Sequence, residues 1–434
     1  MGTFTKTMKA KVKTLTISNK IYMKKDEVED HNDLISLFTY NNGDEILSTL
    51  EEDDNYFIVP SNGYHKLEWE SVIDKRKYEE TDTEMTFSGE LRWEQQEVVE
   101  KFFTKGRARS GIIQAPCGWG KTYTGCNIIA RNNVKTLVMV HTKLLFRQWI
   151  EELNHQIPNI KIGKIGDGFL EIEDITVGIY KSVYNNLQHL RNIFSMVIVD
   201  EAHLCPADLF SNALNNLNAK IKIGITATPK RKDGKHVYLS DYFSPFLIPA
   251  RDPRKLNDPS VRVVQTDVRF PVIDPKRDWS RQLNKLCSNE QYLNLIAKEA
   301  ITAIANRRCP LILGERVQML KDLQKLIPTS VCLIGETDES TRKDVLSNVG
   351  GKYKAVLSTK LFDEGISCHR LDTLFLTCPN NNPIKLEQRI GRIIREHDDK
   401  QLPQVVDFWL RGPIVKRQQE NRMKWYISRG YYIL

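Results

Sequence analysis

Three clusters of residues in this chain have types and spacings that could do chemistry. The first is the segment APCGWGKT, residues 115–122, set between an apolar run at 111–113 and a stretch of helical spacing. Gly118 and Gly120 allow backbone amides to close around phosphate groups at a helix N-terminus. Lys121 is then placed to neutralise the β- and γ-phosphates of ATP, and the Thr122 hydroxyl to ligate Mg2+. Ala115 stands where the usual pattern has a glycine. The second cluster follows the apolar run 193–199 and reads Asp200-Glu201-Ala202-His203. A carboxylate at the C-terminal edge of a buried strand is where a nucleotide-bound magnesium is held in an α/β architecture. Asp200 is expected to hold the metal through water, and Glu201 to orient and deprotonate the attacking water. An acidic pair alone is more often a solvated turn; behind a phosphate loop the chemical reading gains weight.

The third cluster, QRIGRIIR at 388–395, runs from Gln388 through Arg389, Arg392 and Arg395. Spaced three apart, the arginines are expected to share one face of a helix that starts here, with Ile390, Ile393 and Ile394 docking the other face. Arginines aimed in this way can stabilise charge on a γ-phosphoryl group in transit.

These clusters need a scaffold. From about residue 88, short apolar runs at 111–113, 136–140, 175–179, 193–199 and 221–225 alternate with helical spacing such as 144–153. After a stretch rich in prolines and charges at 245–285 the alternation resumes, at 311–313, 331–334, 355–358, 373–376 and 405–409. The pattern predicts an α/β fold with two tandem parallel-sheet lobes covered by helices on both faces, over 86–250 and 251–434. Residues 1–85 read as a small β-rich module. Within it 56–60 and 64–69 flank Ser61-Asn62-Gly63, which predicts a hairpin presenting Tyr64, His65 and Lys66. The acidic run 78–86 reads as a linker.

The bulk composition narrows the partners. The 434 residues carry a net charge of +8, divided into −7 over residues 1–88 and +15 over the remainder. A basic excess confined to the lobes suits a polyanionic partner there. No apolar run approaches the ~20 residues that span a bilayer, so no membrane partner is expected. Eight cysteines lie far apart without a C-x-x-C pair, which predicts free thiols and a cytoplasmic protein.

Taken as an ordered set, the motifs resemble superfamily 2 helicases of the DEAH type. They are most similar to the branch joining XPB-like translocases, restriction-enzyme motors and phage recombination helicases of the UvsW kind, over residues 88–434. The resemblance implies two RecA-like lobes with ATP in the cleft between them. It makes Gln95 the adenine reader with Arg92 in support, and Thr142 and Lys143 contacts to the nucleic-acid backbone. It gives Thr226 and Thr228, with His203, the coupling of hydrolysis to strand movement. Arg316 and Thr359 become strand contacts of the second lobe, and Gly365 part of its link to ATP. Ser367 departs from the aspartate many relatives carry there. The expected activity is that of a monomeric, ATP-dependent DNA helicase or translocase remodelling forks or branched junctions. An RNA helicase, a restriction-type motor subunit and a non-hydrolysing ATP-gated clamp are the alternatives. Stimulation of ATPase by DNA or RNA separates the first, and an intact Glu201 speaks against the last. Residues 1–85 are expected to recognise the junction.

Overall fold

The computed structural model describes residues 9–41, 45–104, 106–116, 118–229, 233–251, 258–272, 274–359, 368–380, 382–394 and 400–434. The chain forms two compact units, Met1–Asp252 and Pro253–Leu434. No helix among the described residues is long and apolar enough to cross a membrane.

The first unit begins with strands β1 (Ala10–Ile17), β2 (Lys20–Lys24), β3 (Glu51–Glu52), β4 (Tyr56–Pro60) and β5 (Leu67–Asp74), in the order β3-β4-β2-β1-β5. Ala10 and Val12, then Leu15 and Ile17 after a one-residue shift in the alternation, enter a small core with Phe38, Phe57 and Leu67. The predicted hairpin does not form: β4 pairs with β2, and β5 runs parallel to β1 at the sheet edge. The type I′ turn that Asn-Gly favours needs positive φ at both central residues, whereas Asn62 has φ −100° and ψ 3°. Tertiary contacts override the local preference. The Asn62 amide donates to the Tyr242 carbonyl at 2.7 Å, and Gly63 lies so close to Phe38 that a Cβ would stand 2.7 Å from its ring.

This module is locked onto the neighbouring lobe. Asp241, on the short helix Leu239–Phe243, is fully buried and accepts hydrogen bonds from Tyr40 and Thr49 at 2.6 Å each. It also pairs with Lys66 at 2.7 Å. Lys66 is therefore engaged inward and is not presented to a partner. The run expected as a linker is instead a strap. Lys77 N donates to Asn218 O at 2.7 Å, Thr81 N to Asn133 O at 2.9 Å and Ser88 N to Gln156 O at 2.8 Å. Met85 enters the core of the lobe.

The lobe's own sheet comprises β6 (Gly111–Gln114), β7 (Thr136–Val140), β8 (Ile162–Gly166), β9 (Phe169–Glu171), β10 (Ile175–Ile179), β11 (Met196–Asp200), β12 (Ile221–Thr226) and β13 (Leu247–Pro249). Their order is β9-β8-β10-β7-β11-β12-β6-β13, parallel throughout except for β9. Every residue of β7 is buried: Val138 and Val140 join the core on one face, Leu137 and Met139 the core on the other. That two-sided burial is why the strand reads as a continuous apolar run.

The second unit is a seven-stranded parallel sheet. Its strands are β14 (Ser260–Arg269), β15 (Pro310–Leu313), β16 (Ser330–Leu333), β17 (Ala355–Ser358), β18 (Thr373–Leu376), β19 (Gln404–Arg411) and β20 (Tyr432–Ile433), in the order β16-β17-β15-β18-β19-β14-β20. The doubly covered α/β expectation is met in both units. Loops leaving the C-terminal ends of the strands share one edge of each sheet, and there the candidate residues collect.

Candidate active site

The phosphate loop leaves β6 and enters helix α2 (Lys121–Asn132), downstream of α1 (Trp93–Phe102). Gly118 and Gly120 adopt left-handed backbone, with φ 73° and 93°. A Cβ on Gly120 would stand 2.5 Å from the Gln95 side-chain nitrogen, so glycine is required both for conformation and for room. Trp119 between them is fully buried, and its indole donates to Arg251 O at 3.0 Å. Its carbonyl accepts from the Arg92 guanidinium at 2.5 Å and from Gln95 Nε2 at 3.1 Å. Gln95 Oε1 accepts from Arg92 N at 3.0 Å, which caps α1. The two residues assigned to the adenine thus brace the phosphate loop directly.

Asp200 ends β11, beside β12 and one strand removed from β6. Glu201 follows in left-handed backbone, φ 53°, a conformation that costs a non-glycine residue on the order of 1 kcal/mol and recurs at functional sites. Lys121 Nζ lies 3.7 Å from Glu201 Oε1. Burial raises the Glu201 carboxyl, but the Lys121 ammonium and His203 outweigh it and hold it below the usual carboxylate range. Burial and the adjacent Glu201 charge push the Asp200 carboxyl upward. His203 Nδ1 is 3.3 Å from Glu201 Oε2 and 3.0 Å from Thr226 Oγ1. Because the Thr226 hydroxyl donates to Thr228 O at 3.1 Å, it accepts from His203, which places the proton on Nδ1. Ala115 N donates to Thr226 O at 3.0 Å and closes the circuit back to the phosphate loop. A chain of contacts therefore joins Lys121, Glu201, His203, Thr226 and Thr228.

One member escaped the sequence reading. Trp149, fully buried on helix α3 (Lys143–Gln156), donates its indole N–H to Asp200 Oδ2 at 2.9 Å. The signal was present, since a buried tryptophan needs an acceptor for that N–H. The same helix begins at Thr142, whose hydroxyl caps it by accepting from Leu145 N at 3.2 Å. Lys143 is exposed and pairs with Asp167 at 2.6 Å.

In the second unit the register Leu313↔Ser358 brings Thr359 and Arg316 to the same sheet edge. Arg316 precedes helix α4 (Val317–Leu326) and donates to Asn284 Oδ1 at 2.7 Å and Ser280 Oγ at 3.3 Å. The expected arginine helix is corrected here: helix α5 (Pro383–Ile390) ends where that helix was to begin, and 391–394 form a turn beyond Gly391. Glycine has low helix propensity, and the amides of Arg392 and Ile393 bond three residues back. Arg389 is buried and lies 3.5 Å from Glu315, so its charge serves this unit's own packing. Gln388 and Arg392 are half-buried. Arg395 and Gly365, with Ser367, lie outside the described residues.

The left-handed glycine cradle, the lysine at a helix N-terminus and the carboxylate pair beside it fit a nucleoside triphosphate with magnesium: Gly118, Gly120 and Lys121 toward the phosphates, Thr122 and Asp200 toward the metal.

Known proteins carry the same two parts. Residues 88–231 match the family described as type III restriction enzyme, res subunit, and residues 292–397 the helicase conserved C-terminal domain. A protein of Escherichia phage T5 described as "Probable helicase" is 28% identical over 334 residues, 74% of this chain and 72% of the relative. The DNA 3'-5' translocase XPB2 of Sulfurisphaera tokodaii is 26% identical over 361 residues, 72% of this chain and 80% of the relative. Among solved structures, S. cerevisiae Dbp5 bound to RNA and ADP BeF3 shares the fold, with a TM-score of 0.57 at 13% identity over 78% of this chain and 88% of that one.

Proposed function

The chain carries the two domains of a superfamily 2 helicase, and from that premise we propose that it is an ATP-driven DNA translocase that remodels forked or branched DNA. The observation that carries the reading is the unbroken chain from Lys121 through Glu201, His203 and Thr226 to Thr228, together with the Trp149 bond that ties Asp200 to α3. The residues proposed for hydrolysis and the proposed strand contacts at Thr142 and Lys143 are thereby connected through helix α3.

ATP would supply the γ-phosphoryl group, and magnesium, when bound, would draw charge from its oxygens. The chain's residues do the rest. Gly118 and Gly120 open their amides to the phosphates, and Lys121 balances their charge. Thr122 and Asp200 would hold the metal. Glu201, kept ionised by Lys121 and His203, orients water and takes its proton. Arg392, Arg395 and Gln388 are the residues proposed to stabilise charge on the departing phosphoryl oxygens. His203, Thr226 and Thr228 pass the change at Glu201 to the strand contacts. Arg316 and Thr359 hold the strand from the second unit, mostly through phosphates.

DNA is favoured over RNA by the XPB2 relative, a DNA translocase aligned over most of its length. The test is strand separation and ATPase on single strand, duplex, fork, four-way junction and matching RNA. Fork or junction DNA is expected to be remodelled and RNA to be inert. Equal turnover on RNA overturns the substrate assignment.

A further inference from the structure

Opposite the phosphate loop, the first lobe's sheet ends in a feature the mechanism above does not use. Strands β8 and β9 form a hairpin with the register Gly166↔Phe169. Its two-residue loop is Asp167-Gly168, both at positive φ, 53° and 92°; this is the turn for which Asp-Gly is suited. The tip is unusually apolar for a solvent-facing turn. Phe169 is 47% exposed, Leu170 55% and Ile172 38%, whereas exposed large apolar residues ordinarily stand singly. Phe169 lies across from Gly166, which has no side chain to cover the ring. Leu170 lies across from Ile165 on the other face of the ribbon. Lys164 Nζ lies over one face of the Phe169 ring, 5.1 Å from its centroid.

The hairpin is fastened to the candidate strand-contact helix. Asp167 accepts from Lys143 at 2.6 Å and from Arg147 at 2.9 Å, the first turns of α3, just after Thr142. β8 is two strands from β7, so the tip lies about 10 Å along the sheet edge from the loop that carries Thr142. Resting on the motor reading above, the geometry points to a second nucleic-acid site: Phe169 and Leu170 form a stacking wedge for a base at the duplex end of the strand gripped by Thr142 and Lys143.

Charge and shape select that occupant. Lys143, Arg147 and Lys164 surround the tip and suit phosphates on either side of a stacked base. Glu171 and Glu173 on the outer side, the latter paired with Lys161, disfavour phosphate further along β9. A second copy of the chain adding to the sheet is disfavoured, because β9 offers only three residues of edge. Base stacking on an aromatic ring needs no sequence, which suits a motor that acts on any junction.

The experiment uses the full chain with Phe169 and Leu170 both changed to Ala, Phe169→Trp alone, and a fork carrying 2-aminopurine at its first unpaired position. Both sites are exposed, so the fold tolerates either change. The double variant is expected to keep ATPase stimulation by single-stranded DNA within about twofold. It should lose roughly tenfold in fork unwinding, the low-to-middle range for removing one base–aromatic stack, together with the 2-aminopurine quench on binding. Phe169→Trp should retain both. Unchanged unwinding and quench in the double variant overturn the wedge. So does a wild-type dimer that the double variant turns into a monomer, which would make the tip a self-association surface. If wild type shows no DNA-stimulated ATPase at all, the motor reading itself fails, and the wedge with it.

Discussion

Replacing Trp149 by Phe tests how the metal carboxylate is held. The ring stays and the N–H goes, removing a 2.9 Å donor from a carboxylate that is only 5% exposed. Among the remaining bonds to Asp200 is one at 2.9 Å from Glu201 N, to the other oxygen. A hydrogen bond to a charged group contributes about 1.5–3 kcal/mol, and a buried acceptor left short of a donor loses about that much. The folded state should therefore be destabilised by ~2 kcal/mol, which leaves the protein folded at 25 °C. Asp200 also becomes free to turn, and loss of such an orienting partner typically costs about 10–100-fold in metal affinity or activity. The assay is steady-state ATPase at saturating ATP over a magnesium titration, beside a fluorescent-ADP titration in EDTA. The half-saturating magnesium concentration should rise at least ~10-fold, with turnover partly restored at high magnesium and metal-free ADP affinity unchanged. Magnesium dependence within twofold of wild type would refute the positioning role.

Other substitutions follow from the same geometry. Lys121→Ala should abolish nucleotide binding, whereas Glu201→Gln should bind ATP normally and turn over ~100-fold or more slower, the scale of a lost catalytic base; equilibrium binding and single-turnover hydrolysis separate them. Gly120→Ala places a Cβ against Gln95 at a φ of 93°, and should reduce ATP affinity and lower the melting temperature together. Lys222, buried in β12 and donating to Ser61 at 2.9 Å, has its ammonium pushed down to about 7 by burial and then by Arg76. With the folded value below the unfolded one, the unfolded chain binds more protons between about pH 7 and 10.4, so wild-type stability gains from this group as pH rises through that window. Lys222→Met should remove that gain and be more stable at pH 7 by up to ~4 kcal/mol, measured by urea unfolding at pH 7 and 9.5.

Sequence and structure agree best where local pattern and tertiary need coincide. The apolar runs at 136–140, 175–179 and 355–358 are strands to the residue, because continuous apolar runs this short are long enough for a buried strand and too short for a helix. The glycines of the phosphate loop were legible because chemistry and backbone demand the same residue. Asn62-Gly63 misled because the Asn62 side chain is used against the neighbouring lobe and the missing Cβ of Gly63 makes room for Phe38 of the module's own core, contacts no local pattern carries. Arg389 misled in a similar way: its partner Glu315 lies 74 positions earlier in the sequence. The Asp167-Gly168 hairpin was legible but sits in an unremarkable stretch without chemistry of its own.

The docking of the N-terminal module also bears on what a truncation would report. Residues 75–88 strap the lobe, Met85 fills its core and Lys66 neutralises Asp241. Deleting 1–85 would remove the Tyr40, Thr49 and Lys66 partners of Asp241 and the Ser61 partner of Lys222, so a loss of activity would report on folding as much as on junction choice.

The central claim is that Lys121 and Glu201 form an ATP-hydrolysing centre driven by a DNA strand. The most direct measurement is phosphate release by full-length wild type and Glu201→Gln, each without nucleic acid, with single-stranded DNA and with RNA of the same sequence. Wild type should hydrolyse ATP slowly alone and at least ~10-fold faster with DNA than with RNA, while Glu201→Gln binds DNA and ATP yet stays near background in all three conditions. Wild-type turnover that ignores DNA, or a Glu201→Gln variant that DNA still stimulates, would contradict it.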